Sequence, residues 1–121
     1  MFSDSTVLAD ASGLDLDGIT IAYYCYLRMF AGCTSLVKAP KLPATTLALY
    51  CYLSMFYKCT GLASQDINLP STALAYSCYN AMFTDAGTAT TKKVHVPESL
   101  SSEVTASTFG RNTGVTVIHD L

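Results

Sequence analysis

The chain has 121 residues, half of them hydrophobic and only 13 % charged, with 8 Tyr, 5 Phe and no Trp. That length suits one domain with a modest core. A formal net charge of -2 leaves no basic footprint for nucleic acid and no polybasic face for a membrane surface.

The first basic residue is Arg28, so no basic leader followed by an apolar stretch is expected. The longest uncharged runs, such as "INLPSTALAYSCYNAMFT", carry Pro, Asn, Ser and Thr, and membrane insertion is not expected. Near the N-terminus "STVLADASG" reads as an edge. "GLDLDG" at 13–18 resembles a calcium-loop fragment but lacks the further oxygen ligands and the closing Glu. Asp15 and Asp17 therefore read as a turn, and no metal is expected.

"CYLRMFAGCTSL" at 25–36 returns as "CYLSMFYKCTGL" at 51–62 and, fading, as "CYNAMFTDAGTA" at 78–89. Cys25, Met29 and Cys33 stand at i, i+4 and i+8, as do Cys51, Met55 and Cys59, then Cys78, Met82 and Ala86. This spacing predicts a short helix per copy with one buried stripe, widened by Ile21, Ala22, Tyr26 and Phe30. Tyr24, Leu27, Arg28 and Ala31 then face outward, followed in the next copy by Tyr50, Leu53, Ser54 and Tyr57. Thr45 and Ser71 are expected N-caps, and the Gly32 region an expected helix stop. Between the phrases, "SLVKAPKLP", "ASQDINLP", "TKKVHVP" and "VTVIHDL" are strand candidates. Val94 with Val96, and Val115 with Val117, alternate as strands do.

The copies are phased. Phe30, Phe56, Phe83 and Phe109 are 26, 27 and 26 residues apart, Phe2 precedes Phe30 by 28, and Pro43, Pro70 and Pro97 are 27 apart. A fixed period of this size predicts a solenoid in which each unit buries its apolar face against its neighbours. The expected fold is an α/β solenoid, a right-handed superhelix of short parallel strands and short helices, in about five coils with degenerate ends. It fills residues 1–121 as a single domain, either by itself or as a fragment of a larger protein.

The phrase "LPATTLALYCYLSMFYKCTGL" resembles the BspA-like leucine-rich repeat of bacterial surface proteins. Leu42-Pro43, Phe56, Cys59 and Leu62 fill the places of that pattern, as do Leu16, Phe30, Cys33 and Leu36. Val96-Pro97, Leu100 and Phe109 match its proline-to-phenylalanine wording with the Cys lost. Asp17 stands where a proline is usual, and "TDAGTATTKK" lacks the usual Cys and Leu. The resemblance implies a leucine-rich-repeat solenoid displayed at the surface of a bacterium, with binding or adhesion as its role and no catalysis.

Several residues invite chemistry. The five Cys cannot all pair internally, have no short metal-type spacing, and are read as free core thiols. His95 alternates with Val94 and Val96 and should point to solvent, and His119 lies near the C-terminus, so neither serves a buried thiol. Lys92, Lys93, Glu98 and Glu103 read as solubilising decoration. Tyr26, Tyr52 and Tyr79 form a ladder at the core edge. Tyr24, Tyr50 and Tyr57 point outward and are the candidate ligand-binding residues. The expected function is non-enzymatic recognition or adhesion, with a protein or glycan ligand and no cofactor. The alternative is a structural or assembly segment, in a surface appendage or virion fibre, stacking on other subunits or on itself.

Overall fold

A computed structural model describes residues 2–16, 26–87 and 89–121. Among these residues there are three strands, β1 (Gln65–Asn68), β2 (Lys92–Val96) and β3 (Val115–His119), paired in parallel in the order β1-β2-β3. Ile67 lies opposite Val94, and Val94 opposite Val117. Short 3-10 turns cover Glu98–Leu100 and Ala106–Phe109. An isolated parallel bridge joins Asp10 to Lys38. These strands fall on the "ASQDINLP", "TKKVHVP" and "VTVIHDL" segments.

The expected leucine-rich-repeat superhelix is overturned. Among the described residues there is no α-helix and no run of about five strand-and-helix coils, only one open sheet beside a body of turns. The reason lies in the backbone. Arg28 and Gly32, then Tyr50, Ser54 and Lys58, then Ser77, Ala81 and Asp85 all have positive φ, four residues apart within each phrase. A left-handed residue ends a right-handed helix, so the cysteine phrases fold as tandem tight turns. Cys51 and Tyr52 point in, Leu53 and Ser54 out, Met55 and Phe56 in, Tyr57 and Lys58 out. The i, i+4, i+8 stripe is therefore a four-residue turn period rather than a helix face.

Backbone donors alternate in use along this ribbon. The N–H groups of Met55 and Tyr57 close turns onto the carbonyls of Tyr52 and Ser54, both at 3.1 Å. Those of Tyr52, Ser54 and Phe56 cross to Cys78, Asn80 and Met82 at 3.0, 3.0 and 2.8 Å. The same division holds from Tyr26 to Gly32 against Cys51 to Tyr57. With half the donors used locally and half between layers, buried amides are satisfied without a helix.

Neither Thr45 nor Ser71 caps a helix. The Ser71 hydroxyl is buried and reaches the carbonyls of Thr45 at 3.0 Å and Ala73 at 2.8 Å. What the repeat period does bring together is rings. Phe2, Phe30, Phe56 and Phe83 stack with centroids 5.5, 5.6 and 5.2 Å apart, and Phe109 closes the column edge-on at 5.7 Å. Tyr26, Tyr52 and Tyr79 form a second column at 5.6 and 6.1 Å, inside the core rather than at its edge. Leu36, Leu62, Met55, Met82, Val94 and Val96 are buried in the same core cluster as the two columns.

Candidate functional site

The expected ligand-binding residues are placed as follows. Tyr24 lies outside the described residues. Tyr50 and Tyr57 are half-buried on the outward side of the 48–59 ribbon. Tyr50 meets Tyr76 edge-to-face at 5.5 Å, and Tyr76 is 68 % exposed. Leu49 and Leu74 are exposed in the same two copies. Edge-to-face contact fixes the Tyr50 ring and leaves Tyr76 presented to solvent, a rigid aromatic with a polar tip. Tyr57 differs, because Arg28 stands 5.4 Å and Lys58 5.2 Å from its ring centroid. These cation–π contacts occupy the ring that a ligand would otherwise stack on. The structure thus separates Tyr50 from Tyr57, and it adds Tyr76, which the phenylalanine phase did not mark because Ser77 holds the place equivalent to Tyr50.

Cys33, Cys51, Cys59 and Cys78 are free and buried; Cys25 lies outside the described residues. The Cys59 thiol donates to the Phe30 carbonyl at 3.0 Å, and Cys33 to Phe2 at 2.9 Å. Burial raises the Cys51 thiol to about 11 and Cys59 to about 12, and shifts Cys33 and Cys78 upward as well. A thiol so shifted offers almost no thiolate near neutral pH. Among the described residues no three His, Cys, Asp or Glu side chains converge on a metal position.

Two polar groups exceed what the sequence suggested. Lys92 is fully buried. Its ammonium donates to the Ala86 carbonyl, to Gly87 at 2.6 Å and to Thr90 Oγ1 at 3.0 Å. Burial pulls its pKa down to about 8, which still leaves it charged at pH 7. The signal was present in "KKVHV", where Lys92 shares the inward phase of Val94 and Val96.

His95 lies on the outer sheet face, yet its side chain is only 18 % exposed. Nε2 stands 3.0 Å from Asp66 Oδ1 and Nδ1 2.9 Å from Asp120 Oδ1. Its hydrogen bonds to the Asp66 carboxylate, then to that of Asp120, shift its pKa upward. The imidazole thereby ties β1 to the residues after β3. His119 turns the other way, onto the Val104 carbonyl at 2.8 Å.

A groove of about 780 Å³ runs between residues 39–45 and β1. It opens because pairing stops. Ala63 N–H still reaches the Val37 carbonyl at 3.0 Å. Beyond that point the Gln65 side-chain amide stands in for a backbone peptide, accepting from Ala39 N–H at 3.0 Å and donating to Val37 at 2.9 Å. Pro40 and Pro43 then offer no N–H to β1.

No family model, curated protein or solved structure matches the chain.

Proposed function

We propose that the chain is a non-enzymatic recognition module that binds a protein or glycan through the outward, tyrosine-bearing side of its turn ribbons. The observation that carries this reading is the Tyr50–Tyr76 pair, one ring held edge-on and the other 68 % exposed, with exposed Leu49 and Leu74 alongside. Tyrosine supplies broad contact area at low entropic cost and a hydroxyl for hydrogen bonding. Burial of the described thiols argues against cysteine chemistry. A bacterial cell-surface setting rests on the BspA-like wording of the repeats alone.

The test is a glycan array run beside a display library of protein ligands, with wild type and the double variant Tyr50→Ala, Tyr76→Ala. Ligands that bind wild type and are lost by a variant with an unchanged circular dichroism spectrum support the reading. Retention of every ligand by the variant sinks it.

A second reading, an assembly segment, draws on one end of the phenylalanine column. Phe2 is only half-buried there, and Val7 is 88 % exposed. Light scattering across a concentration series decides it, since a strict monomer argues against stacking.

A further inference from the structure

We propose that His95 is a pH-operated latch on the edge strand β1, closed by a doubly protonated ring and opened when one ring proton leaves and Asp66 is let go. The device lies apart from the tyrosines and goes beyond the function proposed above.

Donor count decides the state of the ring. Both ring nitrogens face a carboxylate, Nε2 at 3.0 Å from Asp66 Oδ1 and Nδ1 at 2.9 and 3.1 Å from the two oxygens of Asp120. Carboxylates only accept, and a neutral imidazole carries one N–H and one lone pair. A neutral ring held here would press that lone pair against a carboxylate oxygen at hydrogen-bond distance. The imidazolium, a donor at both nitrogens, is the form that satisfies both partners. The two bonds span the sheet, since Asp66 belongs to β1, His95 to β2, and Asp120 follows β3.

The two arms are unequal. Asp120 meets Nδ1 with both oxygens and its side chain is 51 % exposed, whereas Asp66 meets Nε2 with one and is 69 % exposed. The Asp120 arm is pinned at its base. Leu121 N–H donates to the Val96 carbonyl at 3.1 Å, and its carbonyl accepts from Glu98 N–H at 3.2 Å. Among the described residues β1 pairs with β2 alone, and on its other side Pro40 and Pro43 offer no N–H. Loss of one proton therefore leaves Nδ1–H on Asp120 and frees Asp66.

Other charges around the ring do not hold the latch. Lys93 shares the outer face and stands opposite Asp66 in the ladder, and Lys41 lines the groove beside Asp66. Among the described residues neither lysine is in ion-pair range of a carboxylate. Thr116 and Ile118 continue that face on β3 without charge. Asp66 and Asp120 both favour the charged ring, which places release on the alkaline side of an ordinary histidine.

The test is an NMR titration from pH 5 to pH 9 of protein carrying nitrogen-15 in its backbone and histidine rings, with His119→Gln distinguishing the two rings. At the acid end both His95 nitrogens should be protonated, and at the alkaline end the proton should remain on Nδ1. The Leu69 amide donates to the His95 carbonyl at 2.9 Å. Its exchange protection, corrected for intrinsic exchange, should fall about threefold across the same transition, the scale of a partly exposed ion pair. Asp120→Asn separates a latch from a passive contact. The Asn amide donates to Nδ1 of a neutral ring, so Nε2–H stays on Asp66, and Leu69 protection should hold level to pH 9. Asp66→Asn should do the same through Nε2. The proposal is overturned by a His95 ring that is neutral at pH 5, or by a proton retained on Nε2 at pH 9. It is also overturned by unchanged Leu69 protection in wild type, or by a pH-dependent fall that persists in either folded Asn variant.

Discussion

Truncating Phe56 to alanine tests whether the phenylalanine column holds the molecule together. Phe56 is fully buried, with Phe30 at 5.6 Å on one side and Phe83 at 5.2 Å on the other. Removing a core phenylalanine costs about 3–5 kcal/mol, combining lost transfer energy with the cavity left behind. Two ring contacts, each worth roughly 0.5–1.5 kcal/mol beyond area burial, place Phe56→Ala near the top of that range. A chain of this length has roughly 6–18 kcal/mol in total, so one substitution removes a quarter or more. Among the described residues Phe2 has one neighbour ring, Phe30 at 5.5 Å, and is half-buried. Phe2→Ala should therefore cost about 1–2 kcal/mol. Urea unfolding followed by circular dichroism measures both, with unchanged m-values confirming a like-for-like comparison. Equal losses for the two variants, or a loss below about 1.5 kcal/mol at Phe56, would refute the column as the main source of cohesion.

Four further outcomes follow from the geometry. Because the folded pKa of His95 is raised, its ion pairs stabilise fully below the unfolded value near 6.5 and fade as pH rises through the folded value. Stability should fall over that window in wild type and not in His95→Gln, and an NMR titration yielding an unshifted imidazole would contradict this. Lys92→Met strands the carbonyls of Ala86 and Gly87 and should lower stability by about 1–3 kcal/mol, read by denaturant titration. Under native conditions at pH 8, mass spectrometry should find Cys51 and Cys59 unmodified by a thiol reagent, and labelled once urea unfolds the chain. Gly61→Ala places a Cβ 2.6 Å from the Thr34 carbonyl, so thermal melting should show a clear drop in Tm, although φ there is ordinary.

The repeat period was legible in the residues because the phenylalanines and prolines recur in phase, and the strand segments because Val94, Val96, Val115 and Val117 alternate. The helices were misread for a physical reason. An apolar residue every fourth position satisfies a 3.6-residue helix over three positions as well as it satisfies a four-residue turn. Non-glycine residues such as Tyr50, Ser54 and Lys58 gave no warning of positive φ, since glycine is the usual marker of that region. Lys92 was taken for surface because lysine usually is, although its phase placed it inside. Of the candidate tyrosines, sequence placed Tyr50 and Tyr57 outward, but only coordinates reveal that cations cover one ring and a neighbour props the other. The groove depends on where pairing fails. The "SLVKAPKLP" segment was read as a strand but holds only an isolated bridge at Lys38, and the side-chain role of Gln65 did not show at all.

The alternating use of amides along the ribbons sets a rule for how this body comes apart. Protons on Met55 and Tyr57 can be traded with solvent by the opening of a single local loop, whereas those on Tyr52, Ser54 and Phe56 are released only when adjoining tiers separate. Neighbouring positions in one strip of chain thus belong to different breathing modes, fast and slow by turns, so that slow deuterium uptake at every other residue would mark the seam between tiers.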